Sequence, residues 1–330
     1  MPFTVTACFE QYCAQQVDLD PDEIDKAGQS LNLLKGQIAQ LPGRDNAFPP
    51  LYDYFDHCGA FARRTKARPL DRVGLMVLLN GIYTASQPDP DGGDRIRVTR
   101  SNSPLWAYTR AGDLDSAQVL AMLQTSLSNV WQYQNAAPGP EGKTVRLHLQ
   151  AAPWTFVIIP AFPVSNRQRE IEYYLAPDGQ GAWQRCDPRR VQKQVTELNR
   201  FHRGRFAALV RLMKTWNAAR MPLCLNSYHL EAILLNAFTG RIAMSDVHHN
   251  LALAFEDLAV GIQNPCPDPQ GLGPDLDQAI PHTTRIQLSQ AAAQAAQTAA
   301  LALEHESRRD HHQAIDLWQA LFPGFPAYAA

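Results

Sequence analysis

The sequence predicts an α+β protein, with a mixed sheet flanked by helices over roughly residues 45–165 joined to a helical C-terminal lobe. Three observations carry this expectation. Apolar runs short enough to be buried strands occur at Val73–Leu79, Thr144–Leu149 and Thr155–Phe162. Ahead of them, Ile24, Ala27, Leu31, Leu34, Ile38 and Leu41 recur at helical spacing. Beyond Val191 the long apolar stretches take a helical period. The chain accordingly divides into 1–165 and 166–330.

Composition narrows the function classes. With 45% hydrophobic residues in 330, the chain can bury a substantial core. Its 30 basic and 32 acidic residues nearly cancel, so nothing in the bulk charge calls for nucleic acid or a membrane surface. No apolar run reaches the ~18 residues of a spanning helix, and MPFTVTACFEQY lacks the basic and apolar regions of a secretory leader. A cytoplasmic protein is expected. Cys8, Cys13, Cys58, Cys186, Cys224 and Cys266 are scattered without a C-x-x-C pair, which argues against a zinc ribbon or a disulfide framework.

In chain order, Asp20-Pro21-Asp22-Glu23 carries the signals of a helix start, and Pro42-Gly43 ends that helix. Leu51–Cys58 reads as a short strand leading into a tight turn at Gly59, and Arg68–Asn80 as the next strand. Arg63, Arg64, Lys66 and Arg68 between them form a basic cluster, either a solvated loop or a phosphate-facing segment. Residues 86–103 read as an exposed loop, and a helix is expected from about Asp115 to Trp131, with a Pro-Gly break at 138–142. After Phe162 the pattern turns helical and rich in Arg and Gln. Val191–Arg203 and Phe206–Ala219 read as helices. Asn226 or Ser227 caps another, with Glu231 placed to close a capping box. Residues 264–278 are a Pro/Gly loop, followed by a helix over 286–304 and another over His311–Leu321.

The stretch His57–Asn80, HCGAFARRTKARPLDRVGLMVLLN, resembles the signature of the DNA polymerase β-like nucleotidyltransferases, in particular the cGAS/DncV-like (CD-NTase, SMODS) group. The resemblance extends over nearly the whole chain and is weakest at 84–113 and 260–285. It implies a polymerase β-like fold with a long N-terminal helix and a cleft before the helical lobe. In that family a Gly-Ser turn precedes an Asp-x-Asp strand whose carboxylates hold two Mg²⁺ ions. Here the turn is Gly59-Ala60, and the acid positions are Arg72 and Gly74. A third family acid precedes a stretch like Ile158-Ile159-Pro160-Ala161-Phe162, and its position is Val157.

Alternation along a strand puts Arg72 and Gly74 on one face and Asp71 on the other. A one-residue slip would recruit Asp71 only by turning Leu75, Val77 and Leu79 out of their core. Asp53 and Asp56 on the preceding strand are further acids with no family role. Catalytic residues are therefore expected to be absent and Mg²⁺ binding is not expected. Arg72 is open to two readings: a bidentate phosphate binder standing in for the missing cation, or the partner of a nearby acid such as Asp71 or Glu231. Arg211–Asn217 resembles the family helix whose Lys contacts the donor triphosphate, and Ser227–Glu231 the motif whose Ser contacts phosphate and whose Tyr stacks on the base. The resemblance thus implies a nucleotide platform of Gly59, Ala60, Arg63, Arg72, Lys214, Ser227 and Tyr228. Alternatively, the Ser227–Glu231 motif serves only to pack and cap helices.

Other constellations are weak. His248-His249 and His311-His312 lack a further ligand at a recognisable spacing. Gly271-x-Gly273 has no strand before it, and there is no nucleophile elbow. The function expected is a catalytically inactive nucleotidyltransferase homologue, binding a nucleotide or a protein partner in bacterial antiphage defence or nucleotide signalling. The alternatives are an interaction subunit with a closed cleft and an active enzyme using unorthodox acids to make cyclic or linear oligonucleotides. The partners implied are a nucleotide or cyclic oligonucleotide, a defence-system protein, or a second copy of the chain.

Overall fold

The computed structural model describes residues 4–88, 93–139, 142–149 and 152–328, apart from the side chains of Asp53 and Pro138. The candidate acid at Asp53, residues 89–92 of the expected 86–103 loop and residues 140–141 of the Pro-Gly break thus lie, in whole or in part, outside that description. The chain forms two compact units. One is drawn from Met1–Asp20, Arg63–Pro69 and Val191–Ala330, the other from Pro21–Ala62 and Leu70–Arg190. The single division expected at 165/166 falls at the end of one strand of the second unit, whose strands run on to Cys186.

The second unit begins with α2 (Pro21–Ala39) and the short α3 (Leu41–Arg44), after α1 (Val5–Tyr12) and a π-turn (Cys13–Val17) of the first. Ala27, Leu31, Leu34 and Ile38 are buried along α2, as their spacing requires, whereas Ile24 is left 40% exposed near the first turn. Next come β1 (Leu51–Cys58), the single turn α4 (Gly59–Ala62), β2 (Arg72–Leu79), β3 (Thr84–Pro88), β4 (Asp94–Val98), β5 (Thr109–Arg110) and β6 (Asp113–Leu114). Then follow α5 (Ser116–Ser128), β7 (Ala136–Pro138), β8 (Val145–His148), β9 (Thr155–Ser165), β10 (Ile171–Pro177) and β11 (Trp183–Cys186).

These strands form one mixed sheet in the order β1-β2-β9-β10-β11-β4-β6-β5. β2 and β9 run parallel, β1 is antiparallel to β2, and β8 is antiparallel to the first part of β9. Val73, Leu75, Val77 and Leu79 are fully buried on one face of β2, and Phe156 and Ile158 continue that face on β9. α5 contacts β8, β9 and β10, with Val119, Leu123 and Leu127 fully buried. Asp115 caps α5 by accepting from the Ala117 and Gln118 amides.

Two regions expected otherwise are strands. The helical pattern anticipated after Phe162 is instead the β9–β10 hairpin followed by β11. Part of the 86–103 loop is the β3–β4 pair, registered Thr84↔Val98 to Pro88↔Asp94. At β3 pairing across the sheet overrides weak local preference, whereas β10 carries the strand-favouring Ile171, Tyr173 and Tyr174. β3 is exposed over most of its length and shows no apolar alternation for a sequence reading to find.

The first unit is helical: α6 (Pro188–Phe201, its first turn in the second unit), α7 (Arg205–Ala218), α8 (Ser227–Phe238), α9 (Leu251–Gln263), α10 (His282–Ser307) and α11 (His311–Leu321). Its core joins Phe9 and Tyr12 of α1 with Phe206, Met213, Phe255 and Trp318. α10 packs against α9 and α11 through Ala292, Ala295, Ala299 and Ala302, whose small side chains allow close approach.

Candidate functional site

The expected site residues fall into two groups, one in each unit. Gly59, Ala60, Arg72, Gly74 and Val157 lie in the sheet unit; Arg63, Lys214, Ser227 and Tyr228 lie in the helical unit.

In the sheet unit, strand register sets the geometry. Gly74 pairs with Cys58 on β1 and with Val157 on β9, and Val157 pairs with Arg146 on β8. Paired residues share a face, so Cys58, Gly74, Val157 and Arg146 form one row across the sheet. The adjacent row is Arg72, Thr155 and His148. Two of the acid positions expected from the family are thus direct neighbours, and the third begins the next row on the same face. None of Arg72, Gly74 or Val157 offers an oxygen ligand, and a guanidinium repels a cation, so these residues do not fit a two-Mg²⁺ centre.

Gly74 is also sterically closed. A Cβ placed there would lie 2.5 Å from the Cys58 carbonyl oxygen and 2.8 Å from its Sγ. The first contact is with backbone, so no side chain enters without moving β1 against β2. Gly59 begins α4 at φ +82°, a left-handed conformation that glycine adopts without strain. Glycine therefore remains at the turn for a backbone reason, and the short helix that follows includes Ala60.

The polar side chains on this face are mostly cationic or neutral. Arg72 is exposed, its Nε 4.0 Å from Asp71 Oδ2, with both side chains at least half exposed. Arg146 is half-buried and His148 exposed, and His148 Nδ1 is 3.5 Å from the Thr155 hydroxyl. Asp56, registered with Met76, shares the face but is held by the Tyr174 hydroxyl, which donates to its Oδ2. Burial, reinforced by Asp56, raises the Tyr174 pKa, so the hydroxyl keeps its proton. The Arg189 guanidinium lies over the same ring at 4.7 Å. Arg146 and His148 were not anticipated, because only the β8–β9 register brings them beside Val157 and Thr155.

In the helical unit the expected phosphate ligands are engaged internally. Lys214 is 7% exposed, and its ammonium donates to Glu231 Oε2 at 2.6 Å, the Thr65 carbonyl at 3.0 Å and the Thr65 hydroxyl at 3.2 Å. All three ammonium hydrogens thus have acceptors. Arg63 grips Glu231 in a fork, Nε to Oε1 at 2.7 Å and Nη2 to Oε2 at 3.2 Å, and the Thr65 hydroxyl donates to Oε2 at 3.0 Å. Burial alone would raise the Glu231 pKa, but Lys214 and Arg63 outweigh it and hold the carboxyl at about 2. Burial lowers the Lys214 pKa, with Glu231 opposing.

Glu231 is therefore the centre of a buried ionic cluster and not the closing residue of a capping box. Asn226 caps α8 alone, accepting from the Tyr228 and His229 amides, which leaves Glu231 free to turn inward. Arg63, read with the basic loop, is likewise drawn inward. The Tyr228 hydroxyl donates to Asp268 at 2.7 Å, Gln270 donates to it at 3.3 Å, and the Arg63 guanidinium lies 5.5 Å from the ring centre. Ser227 stands exposed in the first turn of α8.

No protein-family model matches the chain. A probable cyclic nucleotide synthase of Bacillus cereus (strain VD146) is 30% identical over 336 residues, which cover 98% of each chain. Among solved structures, CdnC of E. coli MS115-1 with ATP superposes at TM-score 0.70 and 14% identity, over 97% of this chain and 98% of that one. The apo form of Vibrio cholerae DncV does so at 0.69 and 10%, over 98% and 96%. Identity of 30% along nearly the full length of a probable cyclic nucleotide synthase, together with the CdnC and DncV fold, places the chain in the cGAS/DncV-like nucleotidyltransferase family.

Proposed function

We propose that this chain is a catalytically inactive member of its family that binds a nucleotide or cyclic oligonucleotide without a metal ion, as a sensor or partner subunit in bacterial antiphage defence or nucleotide signalling. The observation that carries this reading is the sheet row through Gly74. One expected acid position is closed by the Cys58 backbone, a second is Val157 beside Arg146, and the third is an exposed Arg72. Nucleotidyl transfer needs converging carboxylates to hold the cations that activate the hydroxyl and neutralise pyrophosphate. This face supplies positive charge of its own instead, suited to phosphate oxygens.

Within this reading Arg72 makes the phosphate contact, with the Gly59-Ala60 turn of the same unit offering backbone amides. In the helical unit Ser227 is left exposed, while Lys214, Arg63 and Tyr228 are engaged by internal partners. Two solved neighbours illustrate the range of partners: CdnC in a complex with HORMA-deltaN, and Vibrio cholerae DncV with the linear intermediate pppA(3′,5′)pG. No helix among the described residues is long and apolar enough to cross a membrane.

Isothermal titration with ATP and GTP, with and without EDTA, tests the proposal. Binding is expected to be indifferent to EDTA and to weaken about tenfold in Arg72→Ala, the loss of one charge-assisted hydrogen bond. Radiolabelled ATP and GTP with Mg²⁺ or Mn²⁺ are expected to give no product; a product abolished by Asp71→Ala would overturn the reading. The saturated ammonium of Lys214 favours a second reading, an interaction subunit that binds no nucleotide. Absence of binding under every condition would select it.

A further inference from the structure

We propose that His248, His249 and Glu306 form a site for a divalent transition-metal cation, Zn²⁺ foremost, which fastens the start of α9 to the end of α10. The site lies wholly in the helical unit and is independent of any nucleotide. One ligand atom from each of the three side chains lies within 4.8 Å of the other two. His248 Nε2 is 3.3 Å and His249 Nε2 3.8 Å from Glu306 Oε2. Tetrahedral zinc with bonds near 2.0–2.1 Å separates its ligand atoms by about 3.3 Å, so small side-chain adjustments close the site.

A second observation is independent of the spacing. His248 Nε2 and Glu306 Oε2 are both buried and, among the described residues, neither has a hydrogen-bond partner, although they face each other. His248 is 4% exposed, so water does not solvate its ring. Buried polar atoms without partners are costly, and a cation between them would satisfy both at once.

The surroundings hold the rings in place. Phe9 stacks on His248 with centroids 5.1 Å apart and planes 17° from parallel, and the His249 ring centroid lies 4.1 Å from that of His248, tilted by 41°. His249 Nδ1 is 3.6 Å from Asp246 Oδ2, beyond hydrogen-bond distance, so the carboxylate attracts the outer nitrogen of the ring while Nε2 faces Glu306. The His248 side of the site is dry and His249 is 47% exposed, so a fourth position opens toward solvent for water. Two imidazoles and a carboxylate are a donor set that zinc accepts and that Mg²⁺ and Ca²⁺ disfavour. Sequence spacing alone did not show this, because the third ligand lies 57 residues beyond His249, at the far end of α10.

The full chain, stripped with EDTA and dialysed, is titrated with ZnCl₂ against a chromophoric chelator. The expected result is one tightly bound equivalent and a Tm that rises with zinc. His249→Ala, which removes a half-exposed ring, and Glu306→Gln, which keeps the shape, should each weaken binding beyond the about 10–100-fold that outer-shell changes cost and abolish the Tm rise. Circular dichroism of the metal-free variants confirms that they fold, and His248 is left intact because it packs on Phe9. Failure of the wild type to bind a stoichiometric equivalent overturns the proposal. So does binding that survives in both variants, since the metal would then sit elsewhere.

Discussion

The sheet face that bears Arg72 and Gly74 and the cluster around Glu231 both contain residues that the sequence marks as candidates for a nucleotide site, yet they dispose of charge in opposite ways. On the sheet, Arg72 is a cation at the surface with one exposed acid near it. In the helices, Lys214 and Arg63 are cations consumed by a buried carboxylate and a buried threonine. The contrast teaches that a basic residue at a phosphate-binding position is informative only with its exposure and its partners. A saturated ammonium is part of the scaffold, whereas an exposed guanidinium is available to a ligand.

Breaking the buried cluster should have the largest effect. Glu231→Ala leaves two cations without their counterion in a site that water does not reach, and should cost about 3–5 kcal/mol, read from the denaturant midpoint. Should that variant lose less than surface substitutions do, the cluster would not be the structural element described here.

Acid should reveal the same cluster without mutation. Glu231 is held at about 2 against an ordinary 4.5, so its contribution is complete above the unfolded value and is lost as the pH falls from about 4.5 through about 2. Glu231→Gln should flatten stability across that window relative to wild type, measured by urea unfolding at a series of pH values.

On the sheet the effects are smaller. Gly74→Ala puts a methyl group against the Cys58 carbonyl and should cost about 1–3 kcal/mol by forcing β1 from β2, again read by unfolding. Unchanged stability would mean that the acid position is open after all. Smallest of all, Arg72→Ala should alter stability by less than about 0.5 kcal/mol, since its ion pair is exposed and long. Its effect should appear in nucleotide affinity alone. A variant that lost stability and kept its affinity would exchange the roles assigned to the two regions.

Local chemistry made several elements legible. β1 runs from Leu51 to Cys58 and α11 from His311 to Leu321, both as their residues predict, and Asp115 and Asn226 cap the helices that follow them. The buried stripe Ala27, Leu31, Leu34 and Ile38 follows from period alone. Strand β3 did not declare itself, because its partner rather than its own residues makes it a strand, while in β10 the strand-favouring Ile171, Tyr173 and Tyr174 stand in a segment whose burial does not alternate.

The sequence by itself determined the fold class, the family resemblance and the substitution of Arg72, Gly74 and Val157 for three acids, because each depends on residue identity and local period. Tertiary structure alone decided which charges are available. Glu231 meets Lys214 from 17 residues away and Arg63 from 168, a pairing that local spacing does not encode. It likewise decided that Cys58 closes the face of Gly74 and that Arg146 stands beside Val157, since register across a sheet is set by long-range packing. Burial then turned one set of cations into scaffold and left the other exposed, because desolvated charge must find an internal partner and solvated charge need not.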